Sequence, residues 1–431
     1  MTNQVNGDSA VAPTVSKKRF TPKRLFIAAI ALAGPGLIAA NAGNDAGGIA
    51  TYASAGAQFG YQTLFFMLLV TVALVIVQEM SARLGAYTGE GLGSLIREQF
   101  SIRMTTFALI AFVIANVGLV VSEFAGIAAA MELFHVSRYV AIPVAAVGIW
   151  ALVVFGSYRR AERVFLGLSL AFLAYPVAAL LAHPRVGEAF SQLVFPHFTF
   201  SHSFLFLGVA LIGTTITPYM QFYIAAAIPD KGIGPKEYKR ERLDTVLGCI
   251  FANLISIFII VATAAAIKVR APLGSAAEAA QALRPVAGQF ASQLFGVGLL
   301  GASALAAAVV PLSTAYAVSE AVGSERSVGK SFREAPLFIG LFTAQIVVGA
   351  TIALVPSNLI ATLINAQVLN GIITPILLTY ILILANKKSL LGTAANGRSF
   401  KIVATICVAI IAALSLTVLT TTVAGWLGYK I

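Results

Sequence analysis

The sequence predicts an all-α membrane protein of about eleven transmembrane helices, in which two five-helix halves of opposite orientation precede one additional helix. Composition is the first observation: 58% of the 431 residues are hydrophobic, 11% are charged, and mean hydropathy is +0.89. Soluble domains contain about 45–50% apolar and about 25% charged residues. The second observation is a succession of apolar stretches long enough to cross a hydrocarbon core of ~30 Å. The third is an interrupted helix at the corresponding position of each half.

The chain begins with a polar and basic segment, residues 1–24, that has no small-residue cleavage site behind a short apolar core. We expect this segment to be a disordered cytoplasmic tail. The first half of the protein then covers 25–182, the second covers 203–385, and the additional helix lies within 402–431. The apolar spans that predict this order are 25–56, 60–83, 104–131, 138–157, 162–182, 203–228, 246–269, 290–321, 336–354, 357–385 and 402–428.

The distribution of cations sets the orientation in the membrane. If the amino terminus is cytoplasmic, the 29 Lys and Arg residues lie on the cytoplasmic side except Arg138, Arg185, Lys268, Arg270, Arg284 and Lys430. Such an excess is typical of cytoplasmic loops, and a miscounted span would invert every later loop. The sequence therefore predicts a multi-pass protein of the cell (inner) membrane, with the lipid bilayer and not nucleic acid as the partner of its basic surface.

The first helix of each half is interrupted near its middle. Residues 43–48 (Gly-Asn-Asp-Ala-Gly-Gly) interrupt the first span and residues 213–218 (Gly-Thr-Thr-Ile-Thr-Pro) interrupt the sixth. Gly and Pro free backbone groups that lipid cannot satisfy, and such breaks line binding sites in transporters. Two kinked, closely packed helices would give a similar pattern. The corresponding positions and the embedded Asp45 favour a binding site.

Acidic side chains inside the spans are candidates for function, because an ionised carboxylate at a helix centre costs roughly 2.5 kcal/mol or more. Asp45 lies in the first break, where it can bind a cation, cap the second half-helix, or do both. Glu79 precedes Arg83 by four residues, which predicts a structural ion pair. Glu123 has no cation at helical spacing, so it either forms hydrogen bonds within the bundle as a neutral acid or lines a hydrated pathway.

The remaining polar residues exclude several kinds of chemistry. The four histidines fall in or beside external connections and cannot form a mid-membrane proton relay. No nucleophile and base pair, zinc-ligand spacing or phosphate loop fits a plausible context, so we expect neither an enzyme nor a bound cofactor. The informative feature is the clustering of uncharged polar residues at the breaks, in the set Asn41, Asn44, Thr214, Thr217, Asn253, Gln367 and Asn370.

Several segments resemble the NRAMP family of divalent-metal transporters. The run from Gly34 through Asp45-Ala46-Gly47-Gly48 to Ala55-Gly-Ala-Gln-Phe-Gly-Tyr61 is similar to the family's first helix and following loop. Residues 78–85 with Thr88-Gly89 are similar to its second helix, and 312–317 followed by Glu320 to its eighth. The resemblance covers most of the chain, and it implies a LeuT-type fold with broken helices 1 and 6.

The resemblance also implies a metal site. In the family, helix 1 carries Asp-Pro-Gly-Asn, helix 6 carries Met-Pro-His, and helix 10 carries a Gln. Asp45 and Gln367 match the Asp and the Gln, and Thr214 matches a position whose backbone carbonyl binds metal. Our candidate metal-site residues are Asp45, Thr214, Thr217 and Gln367, with Asn44, Gly48 and Asn370 as further candidates and Glu123 as a possible pathway acid.

The chain departs from the family's pattern in one chemical direction. Ala46 and Gly48 replace the helix 1 Pro and Asn, Thr217-Pro218-Tyr219 replaces Met-Pro-His, and an Asp and a second His of the family are Val120 and Ile224. A Thr hydroxyl or a bound water suits a hard ion such as Mg²⁺, whereas a thioether suits soft metals. The missing Asp and His residues also remove groups that could carry protons.

These departures resemble the NRAMP-related magnesium transporters. We therefore expect a carrier that moves Mg²⁺, with Mn²⁺ tolerated, by alternating access and without tight proton coupling; the metal ion is its substrate and not a cofactor. One alternative is a proton-coupled importer of Mn²⁺ or Fe²⁺. Another is an amino-acid symporter of the same fold, in which Asp45 would repel a substrate carboxylate unless a sodium ion intervened.

Overall fold

Long apolar helices form the framework of the computed structural model, which describes residues 44–155, 167–168, 170–195, 201–268, 270–324 and 333–427. The expected cytoplasmic tail and the first part of predicted span 1 lie outside the described residues. All described residues belong to one packed unit that covers 34–431.

Of the described helices before residue 195, Leu92–Gln99 and Val186–Val194 lie in predicted connections, and the others overlap predicted spans. A 3₁₀ turn, Leu170–Leu173, directly precedes the sixth of them. The helices are α1 (Ala46–Phe59), α2 (Leu64–Thr88), α3 (Leu92–Gln99), α4 (Ile102–Glu132), α5 (Arg138–Val154), α6 (Ala174–Leu181) and α7 (Val186–Val194).

The rest of the described chain contains the longest helix, Ala291–Val322, together with short helical turns in the connections. Three 3₁₀ turns, Gln281–Leu283, Gly288–Phe290 and Gly392–Ala394, lie beside the short helices. The helices are α8 (His202–Thr215), α9 (Pro218–Asp230), α10 (Tyr238–Ala266), α11 (Ala276–Ala280), α12 (Arg284–Ala287), α13 (Ala291–Val322), α14 (Pro336–Ala353), α15 (Leu359–Asn386), α16 (Lys388–Leu391) and α17 (Arg398–Trp426).

Among the described residues, eight helical stretches are long and apolar enough to cross a membrane, and α5 is a shorter apolar helix. Each of the predicted spans contains at least part of a described helix. The described part of the chain thus supports the all-α membrane fold, while the number of crossings and the division into 25–182, 203–385 and 402–431 stay predictions.

The chain turns sharply after α6. His183 has a φ of 51°, in the left-handed region, and the next residue is Pro184, which lacks the N–H that would continue the helix. The axis of α7 is inclined by 112° to the preceding helical segment.

The interior is built around α4 and α15, which pack against each other; α13 packs on α4, and α8 packs on α15. The backbones of α8 and α15 approach closely at Gly213, where a Cβ would overlap the carbonyl oxygen of Gln367. On another side, α10 packs on α1 and α2. These contacts place the start of α1 and the break between α8 and α9 against α4, α10 and α15.

Candidate metal-ion site

The amino terminus of α1 lies in the interior and is capped by Asp45. This residue has extended backbone angles, and its Oδ1 accepts a hydrogen bond of 2.6 Å from the N–H of Gly48. The capping role that the sequence suggested is therefore present. One carboxylate oxygen, Oδ2, has no hydrogen-bond partner although it is buried. Asp45 can thus hold the helix end with one oxygen and offer the other to a cation.

Two side chains of α15 contact backbone carbonyl oxygens at the break between α8 and α9. The Nδ2 of Asn370 donates to the carbonyl oxygen of Gly213, and the Thr374 hydroxyl lies 3.5 Å from the carbonyl oxygen of Ile216. Carbonyls at a helix end lack their usual partners, and these contacts supply them. Asn370 therefore has a structural role at the break.

Two threonines face this break. Thr217 is the N-cap of α9, but its side chain makes no capping hydrogen bond, and Pro218 occupies the first helical position. Thr214 is the penultimate residue of α8, and its side chain lies beside the Asp45 carboxylate. The hydroxyls of both threonines are buried without a hydrogen-bond partner.

Gln367 links the two broken helices through α15. Its Nε2 donates to Oδ1 of Asp45 at 3.4 Å, while its Oε1 has no partner. This approach depends on Gly47, because a Cβ at that residue would overlap the Gln367 amide. The structure thus places Gln367 next to Asp45, as the resemblance implied.

Helix α4 brings a second carboxylate to the same helix end. Oε2 of Glu123 accepts a hydrogen bond of 3.4 Å from the N–H of Ala46, and Oε1 has no partner. Two carboxylates therefore meet at the first turn of α1, where the exposed N–H groups and the helix dipole favour negative charge. This contact places Glu123 inside the site, and not on a separate face of the bundle.

Several buried oxygen atoms of the site have no hydrogen-bond partner. A buried polar atom without a hydrogen bond costs about 1–3 kcal/mol. The side-chain hydrogen bonds described for the Asp45 carboxylate are to two uncharged groups, the Gly48 N–H and the Gln367 amide. Buried oxygens without a hydrogen-bond partner on the elements that meet here are Asp45 Oδ2, Ser122 Oγ, Glu123 Oε1, Thr214 Oγ1, Thr217 Oγ1, Gln367 Oε1 and Asn370 Oδ1, and these are the candidate donors to a cation beside Asp45.

Two further candidates have other partners in the structure. The Oδ1 of Asn44 accepts a hydrogen bond from the hydroxyl of Ser256 in α10, at 3.2 Å. Gly48 has no side chain that could bind a metal ion, and its N–H donates a hydrogen bond to the Asp45 carboxylate. Asn44 and Gly48 therefore shape the first break, and their part in ion binding stays a prediction.

Sequence reasoning missed several residues of this region. Ser122 lies beside Gly47, and the hydroxyl of Tyr52 lies 3.1 Å from that of Thr215. Tyr52 follows Asp45 by seven residues, a spacing that puts both on one helical face and could have indicated it. The one sequence feature that could have indicated Ser122 is its position next to Glu123.

A buried acid near the carboxyl-terminal end of α13 was also left out of the candidates. Glu320 is 8% exposed, and its carboxylate fills the space over Gly91 and Gly93 at the start of α3. The Glu320 side chain therefore packs on the glycine-rich segment 89–93 of the same chain.

Val120 and Ile224 have apolar surroundings. The family resemblance leads one to expect an Asp and a His at these two positions. Val120 packs against Gly349 of α14, where a Cβ would overlap its side chain. Ile224 packs in a small apolar cluster with Ala82, Ala86 and Ile228. Neither position can carry a proton.

Comparison with known proteins places this geometry among metal transporters. The family model "Natural resistance-associated macrophage protein-like", Nramp, matches residues 36–421. Proteins described as "Divalent metal cation transporter MntH" from Ralstonia nicotianae and Chromohalobacter salexigens are each 27% identical to the chain, with 91% of both chains covered in each case.

Solved structures show the same fold. A manganese transporter of Eremococcus coleocola superposes with a TM-score of 0.74 at 17% identity, covering 96% of this chain and 91% of its own. Mhp1, a nucleobase-cation-symport-1 family transporter, gives a TM-score of 0.54 at 13% identity, covering 91% of this chain and 93% of its own. The broken-helix fold predicted from the sequence is confirmed.

Proposed function

Because this chain belongs to the Nramp family of transporters, we propose that it carries Mn²⁺ across the membrane by alternating access, through the site formed by Asp45, Thr214, Thr217 and Gln367. A multi-pass membrane transporter of divalent metal ions is what family membership establishes. The choice of ion, the coupling to protons and the residues that bind the ion belong to the proposal.

One observation carries the residue assignment. The Asp45 carboxylate is 1% exposed, makes its described contacts to uncharged groups, and is surrounded by buried oxygens without partners. An anion in such a place needs a cation, since an unpaired buried charge is strongly unfavourable. The donors come from α1, α8, α15 and the break before α9, which are the elements expected to rearrange in a broken-helix transporter.

The ion assignment rests on donor chemistry and on the relatives together. Carboxylate, carbonyl and hydroxyl oxygens suit Mn²⁺, Mg²⁺ and Ca²⁺, whereas the described part of the site offers no sulfur or imidazole for a softer metal. The similar solved structure is named a manganese transporter, and the MntH relatives are named divalent metal cation transporters. These names favour Mn²⁺ over the Mg²⁺ that the sequence alone led us to expect.

Coupling of metal transport to proton transport is the part of the proposal that the two carboxylates support. Asp45 and Glu123 meet at one helix end without a described cation between them, so repulsion would oppose simultaneous ionisation. A proton on Glu123 relieves this repulsion when the site is empty, and the divalent ion, once bound, displaces that proton into the solution on the side to which the ion itself is released. The ion would then move together with a proton, although Val120 and Ile224 interrupt the route that the family's polar residues would supply.

Magnesium transport without proton coupling is a second candidate, favoured by Thr217. Its hydroxyl replaces a thioether at the position that the resemblance assigns to a soft ligand. Mg²⁺ keeps several waters and needs few protein ligands, which one carboxylate and several neutral oxygens can provide.

Flux into liposomes distinguishes the two candidates. Purified protein is reconstituted with an entrapped metal indicator and, in parallel, an entrapped pH indicator, and Mn²⁺ or Mg²⁺ is added outside. Faster Mn²⁺ than Mg²⁺ entry with acidification of the lumen supports the proposal. Mg²⁺ entry driven by voltage, with no change of internal pH, would support the second candidate.

A further inference from the structure

Ser122 lies in the innermost part of the site, on the face of α4 that packs against the first turn of α1. One turn further along the same face, a Cβ at Gly126 would overlap the side chain of Ala46. Beside Ser122, Glu123 reaches the N–H of Ala46. This close contact along α4 fixes Ser122 next to the half-helix that Asp45 caps.

The Ser122 hydroxyl and the Gln367 amide converge on Gly47 from different helices. A Cβ at Gly47 would lie 2.9 Å from Ser122 Oγ, and it would overlap Nε2 of Gln367. That same Nε2 donates to Oδ1 of Asp45. Ser122 Oγ therefore lies on the same side of Gly47 as the Gln367 amide, which donates to the Asp45 carboxylate.

The Ser122 hydroxyl is buried and makes no hydrogen bond. Ser122 is 0% exposed, and its Oγ has no hydrogen-bond partner. Serines in helices usually satisfy the hydroxyl by donating to a carbonyl one turn earlier, as Ser81 does to Val77 and Ser303 does to Leu299. The Ser122 hydroxyl makes no such bond and is free to accept a partner in the site.

We propose that Ser122 Oγ is an oxygen donor to the transported ion, directly or through one water, and that it contributes to the preference for hard cations. The inference rests on the proposed function, because it assigns a further residue to the same site. A serine hydroxyl adds an uncharged oxygen from α4, a helix that otherwise contributes only the Glu123 carboxylate to the site. This position completes a shell of oxygen donors around the carboxylate.

Titration calorimetry of purified protein with Mn²⁺, Mg²⁺ and Cd²⁺ tests the proposal with Ser122→Ala and Ser122→Cys. We expect Ser122→Ala to weaken Mn²⁺ and Mg²⁺ binding at least fivefold. Ser122→Cys should raise the ratio of Cd²⁺ to Mn²⁺ affinity at least tenfold, because sulfur favours soft metals. Cd²⁺ should also give a thiolate-to-metal absorption band in Ser122→Cys beyond that of the wild type, which already contains Cys249 and Cys407.

Ser54→Ala is the matched control. Ser54 is also 0% exposed with an unpartnered hydroxyl, but it lies two turns further along α1. Its replacement should leave all three affinities unchanged. Thermal unfolding without metal should give similar midpoints for the Ser122 and Ser54 variants, which separates a binding effect from a general loss of stability.

The outcomes separate this inference from the proposed function. If the wild type binds Mn²⁺ and Asp45→Asn does not, but both Ser122 variants keep wild-type affinities and ion ratios, Ser122 is not a donor. If Asp45→Asn binds as the wild type does, the proposed site itself is wrong. If Ser122→Ala does not fold, the ion ratio and absorption band of Ser122→Cys decide the question.

Discussion

The phenol of Tyr238 in α10 donates a hydrogen bond to Oε1 of Glu79 in α2, whose other carboxylate oxygen receives Arg83 at 3.0 Å. The ion pair predicted from the spacing of Glu79 and Arg83 is therefore confirmed, and it is part of a larger cluster. Arg83 also donates to the carbonyl oxygen of Ala394 and to the side chain of Asn396. The cluster joins α2, α10 and the connection before α17.

Removing the acid of this cluster should destabilise the protein. Glu79→Gln leaves the mostly buried Arg83 without its counter-ion, so we expect a loss of about 3 kcal/mol in the free energy of unfolding. Chemical or thermal unfolding in detergent measures the change. Glu188→Gln is the control, because the Arg185–Glu188 pair is exposed and should contribute less than about 1 kcal/mol. Equal effects of the two substitutions would contradict the prediction.

Asp45 should be indispensable for transport but only modestly important for folding. Both Asp45→Asn and Asp45→Ala remove the charge, so we expect both to abolish Mn²⁺ binding in calorimetry and flux in liposomes. The amide oxygen of Asn can still accept from the Gly48 N–H, whereas Ala cannot, so Asp45→Ala should be less stable than Asp45→Asn by about 1 kcal/mol. Substantial Mn²⁺ flux in Asp45→Asn would refute the site assignment.

Thr217 should influence ion selectivity. Thr217→Met introduces a thioether at the break, and we expect the ratio of Cd²⁺ to Mn²⁺ affinity to rise about tenfold, equivalent to about 1.4 kcal/mol. Thr217→Val, which removes the hydroxyl without adding sulfur, should weaken binding of both ions and leave their ratio unchanged. An unchanged ratio in Thr217→Met would show that this side chain does not face the ion.

Glu123 should determine whether protons move with the metal. In liposomes, addition of Mn²⁺ should acidify the lumen for the wild type, and Glu123→Gln should abolish acidification because its amide cannot release a proton. Glu320→Gln changes a buried glutamate near the carboxyl-terminal end of α13, which packs on Gly91 and Gly93, and should preserve acidification. Wild-type Mn²⁺ entry without acidification would restore the uncoupled hypothesis that the sequence suggested.

Gly213 should be required for the contact between α8 and α15. In Gly213→Ala, the added Cβ would overlap the carbonyl oxygen of Gln367, and we expect a loss of about 1–3 kcal/mol in stability or a protein that does not fold. Gly340→Ala is the control, since a Cβ in that part of α14 would meet no atom within 4 Å. The control should gain about 0.5–1 kcal/mol from helix propensity. A neutral Gly213→Ala would contradict the close packing.

The sequence by itself determined the features that depend on local order along the chain. Apolar stretches of about twenty residues indicate helices in lipid, because the other structure that satisfies the backbone there, a closed β-barrel, uses strands of only about ten residues. The breaks around Asp45 and Thr217 were visible because Gly and Pro interrupt those stretches. The pairing of Glu79 with Arg83 followed from a four-residue separation on one helix, where geometry fixes the neighbour.

Only the tertiary structure decided which distant side chains share the site. Gln367 donates to Asp45 across a separation of 322 residues, and that contact exists because Gly47 and Gly213 let α1, α8 and α15 approach closely. Ser122 faces the same point because α4 packs flush against the first turn of α1. Helix periodicity gives the face on which a residue lies, but the crossing of helices decides what that face meets. The residues alone therefore predicted the charge at Asp45, the family resemblance added Thr214, Thr217 and Gln367, and only the packing of α4 on α1 placed Ser122 beside Gly47.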